Sequence, residues 1–341
     1  MDKAVSKKFQ MIDIARLAGV STATVSRALN GSPLIHPDTT KRIQELAKSL
    51  NYTINIGAKN LRIGQSQTVA IVIPFDRNSR QTISDPFFLS MLGSLADALT
   101  ENGYDMLLSR VDAEHLDKRA EIYESGRARG IIVIGQWGHH DQLNALAGRK
   151  VPFVVWGAHL PRQMYCSVGS DNLIGGKVAT AHLLSQGLRR IAFLGNTELP
   201  EVALRYQGYC AAHEDLGLAP DSALLVNVSF SAKQAREGVE KIIAQDLQFD
   251  AIFASSDLIA MTAISVLQWR GLQVPTDVPV VGYDDIEAAA HFHPSLTTVS
   301  QSLENAGQLL VQSLLRAMNG EVVEPILMPT RLITRESSIR T

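Results

Sequence analysis

Residues 9–30 read FQMIDIARLAGVSTATVSRALN, and the spacing of their apolar side chains decides the architecture of the N-terminal part of the chain. Ile14, Leu17 and Ala18 repeat at helical spacing, and Gly19-Val20-Ser21 interrupts the pattern. Thr22–Leu29 then resumes it through Ala23, Val25, Ala28 and Leu29. Gly19 suits the left-handed residue that ends a first helix. Ser21 suits the cap of a second, its hydroxyl accepting a free amide of the first turn. Two short helices joined by a glycine-containing turn of about three or four residues predict a helix-turn-helix, whose second helix lies in a DNA major groove. His36-Pro37-Asp38 opens a third helix, with Pro37 at its first position and Asp38 complementing its dipole. Ile43, Leu46 and Leu50 supply its buried stripe, so residues 1–52 are expected to form a three-helix head.

Charge supports that division. Net charge over all 341 residues is −2, but the segment up to Arg62 holds ten Lys/Arg against four acids and is net +6, which leaves the remainder at −8. A basic end on an acidic body is the footprint of a head that meets a polyanion. The length suits such a head plus a two-lobed core, and the 45% apolar and 19% charged shares are those of a globular protein. No apolar run approaches the roughly 18 residues of a membrane span. The lysines of residues 1–10 have no apolar stretch behind them, so no secretory signal is expected. Two cysteines, Cys166 and Cys210, lack metal-like spacing and fit a reducing cytoplasm.

The run DIARLAGVSTATVSRALN, followed by TTKRIQELAKSLNY, resembles the head of the lac/galactose repressor family. The resemblance implies that Thr22, Ala23 and Arg27 meet base edges, with Arg27 able to pair bidentately with a guanine. It places Ser21, Thr24, Ser26 and Asn30 with them on the DNA-binding face, Thr24 and Ser26 at phosphate-contacting positions that orient without reading sequence. Gln10 and His36 stand where the family usually has a Ser or Thr cap. Residues 53–66 are similar to the family's hinge, a short helix that enters the minor groove. Ala58 and Leu61 have the matching spacing, Leu61 is the wedge between base pairs, and Lys59 replaces a frequent arginine. Ile54 and Gly57 weaken this helix, which is expected to order only on DNA.

Beyond Ser66, short apolar runs alternate with helical patterns: VAIVIPF (69–75), DMLLSRV (105–111), GIIVIGQW (130–137), PFVVWGA (152–158), RIAFLGN (190–196), ALLVNVSF (223–230), DAIFASSD (250–257) and VPVVGYDD (278–285). Continuous Val/Ile runs suit buried parallel strands with helical crossovers. Their number exceeds one modest sheet, so the expected fold is a small all-α head plus an α/β core of two lobes with parallel sheets. PFF (86–88), SDN (170–172), SSD (255–257) and PSLTTV (294–299) extend the resemblance over the core, which looks like the family's relative of periplasmic sugar-binding proteins. It implies a lobe boundary near 165–170 and further crossings near 295 and 325, within a ligand-binding and dimerisation core of residues 67–341.

Ligands of open α/β sheets bind beyond the carboxyl ends of the strands. Trp137 and Trp156 stand there, either as rim packing or as platforms for the apolar C–H face of a pyranose. Arg205 and Asp284 match the family's principal ligand-bonding positions; a guanidinium forks across adjacent hydroxyls and a carboxylate accepts from two, although a structural ion pair would use the same residues. Phe87, Ser256 and Asp257 complete the expected set, with Asp171, and more weakly Asp85, as candidates that serve equally well as helix caps. Gly157 removes a side chain beside Trp156, which points to a ligand stacked along an enlarged crevice, a disaccharide or a glucoside. The Trp-Gly-Ala segment looks like that of members sensing cello-oligosaccharides or other glucosides.

The resulting expectation is a homodimeric transcription regulator, a repressor of carbohydrate-utilisation genes. It binds double-stranded operator DNA in the cytoplasm, and its affinity changes when a small carbohydrate binds between the lobes, induction being the expected sign. Co-repression by a non-sugar ligand is the alternative. A transport receptor would share the core but has no use for residues 1–62. The adjacent His139-His140 forms neither a nucleophile constellation nor a metal site, so no enzyme, cofactor or metal is expected.

Overall fold

The computed structural model describes residues 9–50, 52, 66–75 and 81–340. The chain divides into two compact units between Ser66 and Gln67. The hinge at 53–66, except for Ser66, lies outside the described residues, and Ala58, Lys59 and Leu61 with it.

Among the described residues the first unit contains three helices: α1 (Met11–Ala18), α2 (Thr22–Leu29) and α3 (Pro37–Ser49). Gly19 adopts φ +68° and closes α1, returning its amide to the carbonyls of Ala15 and Arg16. The Ser21 hydroxyl accepts the Thr24 amide at 3.1 Å and starts α2. The small core joins Ile14, Ala15 and Ala18 to Val25, Ala28, Ile43 and Ala47. Leu17, expected on the buried stripe, is 60% exposed. Ala15 takes its place, because the face of α1 centred on Ile14 turns Leu17 to its flank. Arg42 ties α3 to the end of α1 by donating to the Ala18 carbonyl at 3.0 Å. Gln10 is compensated as a start residue, since its backbone N–H donates to the Asp13 carboxylate at 2.9 Å.

Among the described residues the second unit contains two six-stranded sheets. The first is built from β1 (Thr68–Phe75), β2 (Asp105–Asp112), β3 (Gly130–Ile134), β4 (Phe153–Trp156), β5 (Cys166–Ser170) and β11 (Ile326–Met328), in the order β11-β5-β4-β3-β1-β2, every pair parallel. The second contains β6 (Ile191–Leu194), β7 (Leu225–Val226), β8 (Ala251–Ala254), β9 (Val280–Asp284), β10 (Thr297–Ser300) and β12 (Arg331–Ile333), in the order β12-β10-β9-β8-β6-β7, with only β12 antiparallel. The run at 223–230 is mostly not strand: β7 has two residues and follows a short 3-10 turn at Ser222–Leu224.

Both faces of each sheet are covered, which is why the strands read as continuous apolar runs. In β1, Val69, Ile71 and Ile73 pack against α4 (Pro86–Glu101) and α12 (Leu303–Met318). Ala70 and Val72 face the opposite core, with Leu116 and Leu143. In the second sheet Phe193 faces α7 (Asn172–Ser185) and α8 (Pro200–Glu214), while Ala192 and Leu194 face α9 (Ala232–Ala244) and α10 (Asp257–Trp269). The chain passes between the sheets at 170–172, 300–303 and 328–331. Each passage falls a few residues beyond the sequence reading, because β5, β10 and β11 complete their pairing before the chain leaves the sheet.

Candidate functional site

A cavity open to solvent, with about 590 Å³ of empty space, lies where the strands of both sheets end. From the first lobe, the turn after β3 delivers Gly135, Gln136 and Trp137, β4 ends on Trp156, and the start of α4 supplies Asp85, Phe87 and Phe88. From the second come Leu199, Glu201 and Arg205 around the start of α8, with Phe230, Ser256 and Asp284. Trp137 has φ +49° and Gly135 φ +94°. A side chain at Gly135 would begin 3.2 Å from the Trp137 indole nitrogen, so this glycine lets the ring fold back over its own turn.

Arg205 is 5% exposed and held on several sides. Its Nε donates to Asn172 Oδ1 at 2.8 Å, its guanidinium also donates to the Ser255 carbonyl, and its plane lies 3.7 Å from the Tyr283 ring centroid. Asp284, 6% exposed, approaches it at 4.0 Å. A guanidinium has five N–H donors, so those not committed to protein acceptors remain for a ligand. Asp284 sits at φ +121°, in the left-handed half of the backbone map, and its Oδ1 accepts from Gln301 Nε2 at 2.6 Å. Burial pushes its carboxyl well above the usual carboxylate range; Arg205 opposes the shift, and Asp257 and Asp85 add to it. Asp85 and Glu201 are also raised by burial, opposed by hydrogen bonds from Gln81 and the Phe87 amide to Asp85 and by backbone amides and Arg205 at Glu201. The cavity therefore combines broad apolar planes with buried carboxyl groups and one fixed cation. That combination suits a polyhydroxylated ring.

The structure brings together Phe87, Trp137, Trp156, Arg205, Ser256 and Asp284. Ser256 has a second duty, its hydroxyl accepting the Ile259 amide at the start of α10. Asp171 and Asp257 are not brought in. Asp171 caps α7 by accepting the Ile174 amide at 3.0 Å. Asp257 is fully buried behind the cavity, accepting from Thr298 Oγ1 and from the Ile286 amide. The room expected at Gly157 is not open either. A Cβ there would begin 2.8 Å from the Gln136 carboxamide, which occupies that space and donates to the Ala158 carbonyl at 2.8 Å and the Tyr165 hydroxyl at 3.0 Å. Gln136, Glu201 and Phe230 escaped the sequence reading; the positions of Gln136 and Phe230 at the ends of apolar runs offered the signal. Among the described residues no group of three or more His, Cys, Asp or Glu side chains could hold a metal ion.

On the head, Ser21, Thr22, Ala23, Arg27 and Asn30 are exposed while Val25 and Ala28 are buried, so α2 presents a polar face carrying a cation. Thr24 and Ser26 are half-buried at its flanks, and Asn30 closes the helix by donating to the Ser26 carbonyl at 2.7 Å.

The family model for bacterial regulatory proteins of the lacI family matches residues 10–55, and that for a periplasmic binding protein-like domain matches residues 180–338. The HTH-type transcriptional regulator CelR of Thermobifida fusca is 32% identical over 332 residues, covering 95% of this chain and 96% of that protein. The chain belongs to the lacI family. A second lacI-type relative, the HTH-type transcriptional regulator RegA of Clostridium saccharobutylicum, is 31% identical over 96% of this chain and 98% of its own length. Among solved structures, a complex of the transcriptional regulator CelR with cellobiose matches with TM-score 0.71 and 29% identity, covering 97% of this chain and all of that one. The lac repressor dimer bound to operator and the anti-inducer ONPF shares the fold, with TM-score 0.82 at 23% identity over 98% of this chain and all of that one. This lacI-family chain is a helix-turn-helix transcriptional regulator. Among the described residues no helix is long and apolar enough to cross a membrane.

Proposed function

We propose that the chain is a cytoplasmic, homodimeric repressor of carbohydrate-utilisation genes, released from its operator when a glucoside or disaccharide binds the cavity between the lobes. The observation that carries this reading is the pairing of Trp137 and Trp156 with the buried Arg205 and Asp284 in one cavity. Indole faces cover the C–H surface of a pyranose, while the guanidinium and carboxylate hold its hydroxyls. The relative solved with cellobiose supports a glucoside as the ligand, and the dimer solved on operator supports two heads on a pseudo-palindromic site.

In this reading Thr22, Ala23 and Arg27 meet base edges, Ser21, Thr24, Ser26 and Asn30 hold the backbone, and Ala58, Lys59 and Leu61 of the hinge enter the minor groove. Phe87 and Ser256 complete the sugar site. Ligand binding changes the angle between the lobes and hence the spacing of the two hinges, a coupling of typically about 1–3 kcal/mol. The test is a gel shift on the protein's own upstream region, repeated with glucose, maltose, sucrose and cellobiose, alongside calorimetric titration of the same sugars. Salt-sensitive binding that one glucoside releases is the expected result. Preference for a free hexose or a purine, or the absence of any specific DNA complex, would overturn it.

A further inference from the structure

Trp137 borders two cavities. With Leu199 and Phe230 it lines the sugar cavity, and the same three residues line a second cleft between the lobes with about 1080 Å³ of empty space. His139 borders this cleft from the first lobe, Asn196 and Gln234 from the second.

Both carboxamides are oriented by the backbone. Asn196 Oδ1 accepts the Glu198 amide at 3.0 Å, and Gln234 Oε1 accepts the Ser229 amide at 3.0 Å. Each oxygen is thereby committed, and the NH₂ end is the one left to a ligand as a donor. Amide donors of fixed direction beside an indole and a phenyl ring make a surface that stacks a pyranose and bonds its oxygens. The two cavities share Trp137, Leu199 and Phe230, which sets this second surface next to the first.

We propose that the outer cleft is a second saccharide subsite, so that the effector is an oligosaccharide of three or more glucose units whose terminal disaccharide fills the inner cavity. This inference rests on the inner cavity being the sugar site. It concerns chain length, which that reading leaves open.

The experiment is calorimetric titration of the full chain with cellobiose against cellotriose, and maltose against maltotriose. In one of the two series the trisaccharide is expected to bind at least tenfold tighter than its disaccharide. Asn196→Ala and Gln234→Ala are expected to reduce that advantage to twofold or less while leaving disaccharide affinity within twofold, which also reports that the variants are folded. If a disaccharide binds and its trisaccharide binds no tighter, the subsite is overturned and the sugar site stands. If no saccharide of either series binds, the sugar reading itself falls and the subsite with it. A loss of disaccharide and trisaccharide affinity in equal proportion in both variants would also overturn the subsite.

Discussion

Gln301 donates to Asp284 across 2.6 Å, and both side chains are buried. The other end of the same amide accepts from the Ser170 hydroxyl. Asp284 ends β9 at the cavity, Gln301 lies on the stretch that returns to the first lobe, and Ser170 ends β5 where the chain first leaves it. One carboxamide therefore joins the ligand-facing carboxyl to two of the three passages between lobes. Removing one partner of a buried hydrogen bond leaves the other unsatisfied, at a cost of about 1–3 kcal/mol. Gln301→Leu is therefore expected to weaken cellobiose binding by roughly ten- to a hundredfold, and to raise the cellobiose concentration needed to release operator DNA in proportion. Calorimetry and gel shifts measure the two quantities. A change below threefold in both would show that the amide couples nothing.

Asp257 makes the stability of the core depend on pH. Burial pushes its carboxyl up to about 7, against the pull of the Thr298 hydroxyl and the Ile286 amide, with Asp285 raising it further. Between the ordinary value of 3.8 and about 7 the folded protein holds a proton that the unfolded chain has released. The folded state then binds more protons, and stability falls as pH rises through that window. The contribution is at most about 1.4 kcal/mol per pH unit. Asp284, Asp85 and Glu201 shift in the same direction. Urea unfolding between pH 4 and 8 is expected to show this decline, and Asp257→Asn to lessen it, since an amide can satisfy both partners without ionising. An Asp257→Asn variant with the wild-type slope would refute the assignment.

Arg27 is a cation on the exposed face of α2, and its side chain lies outside the core of the head, which is formed by Ile14, Val25, Ala28 and Ile43. Arg27→Ala should therefore leave the fold intact and cost about 1–3 kcal/mol of operator affinity, with selectivity relaxed at one base pair. Val25→Ala should instead unfold the head, because a buried aliphatic side chain contributes about 1.5–3 kcal/mol in a core this small. Fluorescence anisotropy on operator variants separates the two effects. Equal discrimination at every base pair in the Arg27→Ala protein would remove this residue from direct readout.

The elements legible in the sequence were those with a strong apolar period. The head followed from Gly19, Ser21 and Pro37, and eight strands from Val/Ile runs, although 223–230 shrank to the two residues of β7, which pair with Phe193 and Leu194. Cys166–Ser170 and Thr297–Ser300 were invisible as apolar runs, since polar side chains such as Ser167 and Thr297 fill buried places there through hydrogen bonds. Within the cavity, Trp137, Trp156, Arg205 and Asp284 were legible as large or charged residues at strand ends or in a recognised pattern. Gln136 was not, because its place depends on the absence of a side chain at Gly157, twenty-one residues away in sequence. The capping role of Asp171 was foreseen as an alternative. The burial of Asp257 behind Gly282 was not, and it depends on the packing of α10 against β9.

Arg205 is positioned by a contact that only glycine permits. A Cβ at Gly176 in α7 would fall 2.0 Å from the Arg205 carbonyl oxygen, and one at Gly208 in α8 would fall 2.1 Å from the Leu173 carbonyl oxygen. The helices thus meet backbone to backbone, and this spacing sets the 2.8 Å bond from Arg205 Nε to Asn172 at the start of α7. Gly208→Ala must separate the helices, and overpacking of this kind costs typically about 1–3 kcal/mol. The guanidinium moves with its helix, away from Asp284, so sugar affinity is expected to fall at least tenfold. Gly148→Ala is the control: its Cβ would meet nothing within 4 Å, and its higher helix propensity should leave stability unchanged or slightly raised. Operator binding without sugar should survive in both variants, because the head carries its own core. Thermal melts, calorimetry with cellobiose and gel shifts distinguish these outcomes. A Gly208→Ala protein that melts and binds sugar like wild type would show that α7 and α8 can part without moving Arg205.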